Sequence, residues 1–153
     1  MALSDNEIIR AIKTGDLRIS PPAKKINPAG IDLKTDRAIL VKPSQHILVA
    51  SKEKVELSEN FLGLLHIRSS LAREGIIASL ALVDPGFRGQ LTINLYNAGD
   101  RPVKLKTGER FIQLSLVRLG NPATSTYNGK YQNSKGVVQS RRRKISPSHS
   151  LKA

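Results

Sequence analysis

The spacing of apolar and polar positions changes character near residue 28. Before that point, Ser4-Asp5-Asn6-Glu7 has the spacing of a capping box, in which Ser4 accepts from the backbone of Glu7 while Glu7 reaches back. A short helix is predicted to follow, with Ile8, Ile9 and Ile12 on one face and Gly15 ending it in a left-handed conformation. After Pro21-Pro22 and Asn27-Pro28, β-branched runs separated by Gly, Pro, Asn and Asp predict strands near residues 31–41, 46–51, 63–68, 76–83, 90–96 and 111–119. In the fifth of these, Leu91, Ile93 and Leu95 alternate with Thr92, Asn94 and Tyr96, so one set enters a core and the other faces a polar surface or cleft. Short strands at this spacing indicate an all-β sandwich or barrel. From Gly120 onward the apolar pattern stops, and Asn, Ser, Gly and basic residues predict a mobile arm.

Composition narrows the picture. A chain of 153 residues with 39% apolar content builds one core, so we expect a β domain over residues 1–125 and a flexible arm over 126–153 that ends in a basic tail. No apolar run is long enough to span a bilayer and residues 1–10 do not resemble a signal peptide, so a soluble, cytoplasmic protein without membrane partners is expected. The absence of cysteine excludes a disulfide framework and every thiolate metal site, including the zinc centre of cytidine deaminases. The net charge of +13 favours phosphate-bearing partners, whether polymer or small molecule. Residues 141–153 carry five of those positive charges and no acid, which leaves +8 on residues 1–140. The few aromatics form no stacking stripe, so nucleic acid is not expected as the main partner.

Four segments bring chemistry together, and each has a plain structural alternative. Arg68-Ser69-Ser70-Leu71-Ala72-Arg73 combines forked cationic donors with small hydroxyl residues that let backbone N–H groups approach an anion; alternatively, it is a Ser-capped helix with solvated arginines. Val83-Asp84-Pro85-Gly86-Phe87-Arg88-Gly89 is a turn that also presents a carboxylate and a ring, a combination suited to a base and its sugar. Asp32, set among apolar neighbours in Ala29-Gly30-Ile31-Asp32-Leu33, needs either a metal with its bound water or a salt bridge. Gly108-Glu109-Arg110-Phe111-Ile112-Gln113-Leu114 is a turn entering a strand. His46, His66 and His149 are too scattered to form a metal pair or a triad.

In order and spacing, these four segments resemble the motifs of the dUTPase and dCTP deaminase superfamily, and the likeness runs from about residue 3 to residue 141. Ile67-Arg68-Ser69-Ser70-Leu71-Ala72-Arg73-Glu74-Gly75 is particularly similar to archaeal dUTPases whose chains resemble dCTP deaminase. The resemblance implies a distorted jelly-roll (a dUTPase-like β-clip), a homotrimer with sites at subunit contacts, Mg²⁺ as cofactor and dUTP as substrate. It also implies that Asp84 orients and deprotonates the attacking water, that Phe87 packs on the deoxyribose, and that Arg68, Ser69, Ser70 and Arg73 hold phosphates. By the same resemblance Gln113 lines the subunit contact, Asp32 holds the metal through water, and the arm brings Lys130, Tyr131 and Gln139 to the substrate.

Two departures bear on the reaction. The arm lacks the glycine-rich motif of ordinary trimeric dUTPases, and Gly129-Lys130-Tyr131-Gln132-Asn133 instead resembles the deaminase arm. The deaminases' catalytic glutamate is replaced by Asn94, whose amide cannot shuttle a proton. The sequence therefore favours a dUTP diphosphatase. A dCTP deaminase or bifunctional enzyme, and a non-catalytic nucleotide-binding regulator, stand as its alternatives.

Overall fold

The computed structural model describes residues 1–79 and 81–142. Its elements are α1 (Asp5–Thr14), β1 (Leu17–Ser20), β2 (Ile31–Lys34), β3 (Ile39–Val41), β4 (His46–Leu57), β5 (Phe61–Ile67), α2 (Ser69–Arg73), β6 (Ile76–Ser79), β7 (Arg88–Asn97), β8 (Val103–Leu105) and β9 (Arg110–Arg118). All strand pairings between these elements are antiparallel. One sheet has the order β1-β4-β7-β6, a second β2-β9-β5, and β3 pairs with β8. The result is the distorted jelly-roll expected from the sequence.

Alternation along the strands builds the core. Leu91, Ile93 and Leu95 are buried while Thr92, Asn94 and Tyr96 stay on the outer face, as the period-two pattern predicts. Ile31, Leu33, Phe61, Leu65, Phe111, Leu114 and Leu116 close the core from the second sheet. Gly15 ends α1 at φ 83°, and the Ser4 backbone N–H donates to the Glu7 carboxylate at 2.9 Å, which with the Ser4 hydroxyl holds the Glu7 carboxyl below its usual range.

Some expectations need correction. The buried stripe of α1 is Ile8 and Ala11, while Ile9 and Ile12 are 39% and 37% exposed, because the short helix meets the sheets along a single narrow line. The run 31–41 is two strands in different sheets. A register shift at Leu33/Lys34 turns the chain, and buried Thr35 ties the corner by donating its hydroxyl to the Lys106 carbonyl at 2.7 Å. Likewise 76–83 is β6 followed by a separate bridge from Val83 to Gly63. The strands β1 and β8 were not anticipated. The end of the basic tail, residues 143–153, falls outside the described residues.

Asp16 anchors α1 to the β4–β5 turn. Its carboxylate accepts from Thr14 at 2.7 Å and Asn60 at 2.9 Å, and these bonds, with one from Ser58, hold its carboxyl below the ordinary 3.8. A depressed folded-state value means stability that is present above the unfolded pKa and lost as pH falls through the folded one. Asp16→Asn should therefore lower stability at pH 7 by about 1 kcal/mol, discounted for partial exposure. Denaturant titrations should show the deficit shrinking below pH 3.8. A deficit that stays constant from pH 7 to pH 2 would contradict the assignment.

Candidate functional site

The sequence motifs fold into two separate groups of side chains. The first lies on the β2-β9-β5 sheet, where strand register sets Asp32 opposite Gln113 and Gln113 opposite His66, in one row on the outer face. Arg68 leaves the end of β5 and turns its Nε to Asp32 Oδ2 at 3.7 Å, while Arg110 Nη1 approaches the same oxygen at 3.3 Å. The Asp32 side chain is only 10% exposed, so the two guanidiniums supply the compensation its burial requires. The salt bridge foreseen as the alternative for Asp32 thus forms. Gly30 lets this row close, because a Cβ there would stand 2.7 Å from Gln113 Nε2.

The Ser-Ser segment forms α2, but Arg68 rather than a serine occupies the cap position, and no side chain caps the helix. Ser69, Ser70 and Arg73 are all exposed beside Arg68. The group therefore offers two exposed hydroxyls and cationic side chains to solvent, a set of donors that matches phosphate oxygens.

The second group surrounds a cavity of about 470 Å³ on the outer face of the β1-β4-β7-β6 sheet. Asp84 is exposed at its edge, and Phe87, 7% exposed, forms a wall. Tyr127 meets the Phe87 ring edge-on, with centroids 5.7 Å apart and planes at 61°. Leu48, Thr92 and His46 contribute further lining, as do Tyr131 and Gln139 from the arm. Asn94 stands on the same outer face, directly opposite Leu48 and one alternation beyond Thr92. Lys130 is exposed, with Nζ 3.5 Å from the Arg141 carbonyl and its own carbonyl accepting from the Arg141 guanidinium.

The arm reaches this cavity as a docked strap. Tyr127 N–H donates to Pro85 at 2.7 Å, and Gln132 spans the turn by donating to Gly86 at 2.9 Å and accepting from Arg88 N–H at 2.8 Å. Gln90 then donates its N–H to Ser134 at 2.9 Å and accepts from Gly136 at 2.7 Å, and Thr92 Oγ1 accepts from Val138 at 3.0 Å. Tyr127, Gln132, Ser134 and Gln90 were missed as site residues. Their partners lie about 40 residues away in sequence, and the only local signal was the polar outer face of β7.

One chain does not join the two groups. Gly63 and Val83 exchange backbone hydrogen bonds of 2.9 Å, which fixes Asp84 near the middle of β5. Arg68 follows five residues later, about 16 Å away at ~3.3 Å per residue, and faces Asp32.

Comparison with known proteins places this geometry. Residues 34–119 match the family model described as dCTP deaminase-like. The chain is 43% identical over 130 residues to a dCTP deaminase of Pyrococcus horikoshii, covering 85% of this chain and 83% of that protein. It is 38% identical over 154 residues to a probable deoxyuridine 5'-triphosphate nucleotidohydrolase of Sulfolobus islandicus rod-shaped virus 1, covering 90% and 97%. Among solved structures, the dUTPase of Staphylococcus bacteriophage 80alpha with dUpNHpp superposes with a TM-score of 0.58 at 19% identity, over 78% of this chain and 95% of that one. At that identity the likeness is one of fold.

Gly89 tests the docking of the arm. It adopts φ 150°, and a Cβ would lie 2.8 Å from Ser134 N. Gly89→Ala should release the strap, since a cost of ~1–3 kcal/mol from the crowding of Ser134 lowers the docked-to-released ratio about fivefold or more. Hydrogen exchange at Gly136 and Val138 should accelerate correspondingly while β9 stays protected. Unchanged exchange at both amides would show that the strap does not depend on this contact.

Proposed function

The chain belongs to the dUTPase and dCTP deaminase superfamily, a family of enzymes acting on deoxynucleotides, and from that premise we propose that it hydrolyses dUTP to dUMP and pyrophosphate. The observation that carries this reading is Asn94. It stands on the cavity face of β7 at the position that, by resemblance, holds the deaminases' catalytic glutamate. Loss of ammonia from cytosine needs a group that takes a proton and returns it, and a carboxamide does not titrate near neutrality.

In this proposal the base and deoxyribose enter the cavity beside Phe87 and Tyr127, whose volume lies in the range of small-molecule sites. Asp84, exposed at the edge, orients and deprotonates the water that attacks the α-phosphorus. Arg68, Ser69, Ser70 and Arg73 take the phosphates, with Gln113 lining the same contact. Lys130, Tyr131 and Gln139 close over the nucleotide as the arm docks and excludes water. No covalent nucleophile is needed, because positioning and charge stabilisation supply the rate.

Among the described residues, no three His, Asp or Glu side chains gather to hold a metal. Asp32 also sits between two guanidiniums. This donor set fits Mg²⁺ only as an ion that arrives on the triphosphate and reaches Asp32 through water. Bound there, it would neutralise the phosphate oxygens.

The two groups of residues complete each other only between chains, so a homotrimer with shared sites belongs to the proposal. Ile77 and Leu82, 57% and 50% exposed, and Tyr96, directly opposite Ile77, supply apolar surface beside the cavity for a neighbouring chain. No described helix is long and apolar enough to cross a membrane.

A second reading, dCTP deaminase alone or combined with dUTP hydrolysis, is favoured by the names of several relatives. It would need a proton carrier other than Asn94, and His46 lines the same cavity.

Incubation of the protein with Mg²⁺ and either dUTP or dCTP should give dUMP and pyrophosphate from the first and no ammonia from the second. Asp84→Asn should lower kcat at least about 100-fold while nucleotide binding stays within roughly tenfold. Without nucleotide, millimolar Mg²⁺ should leave Tm within about 1 °C, since an ion that does not bind the free fold cannot stabilise it. Ammonia from dCTP at a rate comparable to dUTP hydrolysis would overturn the reading.

A further inference from the structure

The strap crosses the outer face of the β1-β4-β7-β6 sheet, and a second cavity of about 560 Å³ lies on its other side. Register makes this cavity. Ser20, Lys54 and Gln90 stand in one row across β1, β4 and β7, and the strap runs past Gln90 at Ser134. Lys52 and Lys54 enter from the body, while Asn133 and Lys135 enter from the strap. Gln90 and Ser134 line both cavities, so they form the partition between them.

The charge in this second cavity is unbalanced. Lys54 Nζ is paired with Glu56 at 2.8 Å. Lys52 and Lys135 have no carboxylate within ion-pair distance among the described residues. Ammonium groups gathered in one concave site repel one another, and this repulsion opposes the approach of Lys135 and the strap that carries it. A small anion between them reverses the sign of that interaction. It would also find neutral donors in the Ser20 hydroxyl and the Asn133 carboxamide.

We propose that this lysine-lined cavity is a binding site for a phosphate-class anion, and that occupation fastens the strap and so closes the first cavity, beside Phe87 and Tyr127. Body and strap each supply cations, so the anion binds the docked state more tightly than the released one. By linkage, whatever docks the strap also tightens anion binding. Arg68 and the exposed serines belong to the other sheet, so this site is distinct from the phosphate-holding group described above.

The test uses the full chain with inorganic phosphate and pyrophosphate as probes and sodium chloride at matched ionic strength as the control for screening. Hydrogen exchange is read at Gly136 and Val138, whose amides bond to Gln90 and Thr92. Phosphate should slow exchange there saturably, by about fivefold or more. The slowing should persist in Arg68→Ala and vanish in the double variant Lys52→Gln, Lys135→Gln, whose exchange without phosphate should already be slower than that of the parent because the repulsion between the ammonium groups is gone. Repeating the titration with dUpNHpp bound distinguishes the sources: further slowing by phosphate identifies a free anion as the occupant. No further slowing identifies the nucleotide's own phosphates as the occupant only if the slowing by dUpNHpp is itself lost in the double variant. Slowing that disappears in Arg68→Ala but survives the double variant, or that sodium chloride reproduces, would overturn the proposal.

Discussion

Backbone hydrogen bonding along β5 sets the distance on which the rest of the site depends. Gly63 exchanges two bonds with Val83, and a Cβ at Gly63 would stand 2.8 Å from Leu114 Cδ1 and 3.0 Å from Val83 Cβ. Only glycine allows the Asp84 turn to lie this close to the second sheet. The other end of β5 delivers Arg68 to Asp32, where β9 has already aligned Gln113 by pairing with β2 and β5 at once. A strand of seven residues thus holds the carboxylate proposed as base and the guanidinium proposed for phosphate apart. The chemistry proposed for either group then requires a second chain.

The same logic explains the strap. Its residues bury little apolar surface beyond Tyr127, so its position rests on hydrogen bonds from the Asp84 turn and the first half of β7. Gly86 and Gly89 give it room: a Cβ at Gly86 would stand 2.5 Å from Thr126 Cβ. The glycines of the turn motif therefore serve the arm as well as the turn. Each such bond contributes only about 1 kcal/mol, which suits a segment proposed to open and close. A site whose lid is set by a few polar contacts responds to small changes in charge, and the lysines beside it are placed to supply them.

Much of this was legible in the sequence where the determinant is local. The Ser4–Glu7 spacing, the Gly15 stop and the alternation through residues 91–95 each act within a few residues, and the structure shows all three. The four motif segments were legible as groups of functional residue types. What could not be read are pairings made across the chain. Asp32 finds its second cation in Arg110, 78 residues away. The strands β1 and β8, four and three residues long, exist because β4 and β3 pair with them. Ile9 and Ile12 share the helical period with Ile8 but not its burial, since the width of the contact is set by the sheets beneath. The arm carries loop composition, and no local pattern shows that Gln132 and Ser134 would bond to the turn and strand over 40 residues before them.

The claim that most directly carries the account is that one working site draws Arg68 from one chain and Asp84 from another. Arg68→Ala and Asp84→Asn chains, each inactive alone, can be unfolded, mixed in equal amounts and refolded beside wild-type protein treated identically, and dUTP hydrolysis measured. Random trimers of the two variants place an intact Arg68 against an intact Asp84 at about a quarter of the shared contacts, so activity should return to about that fraction of wild type. Activity no greater than that of the two variants refolded separately would show that each chain completes its own site, and would contradict the account.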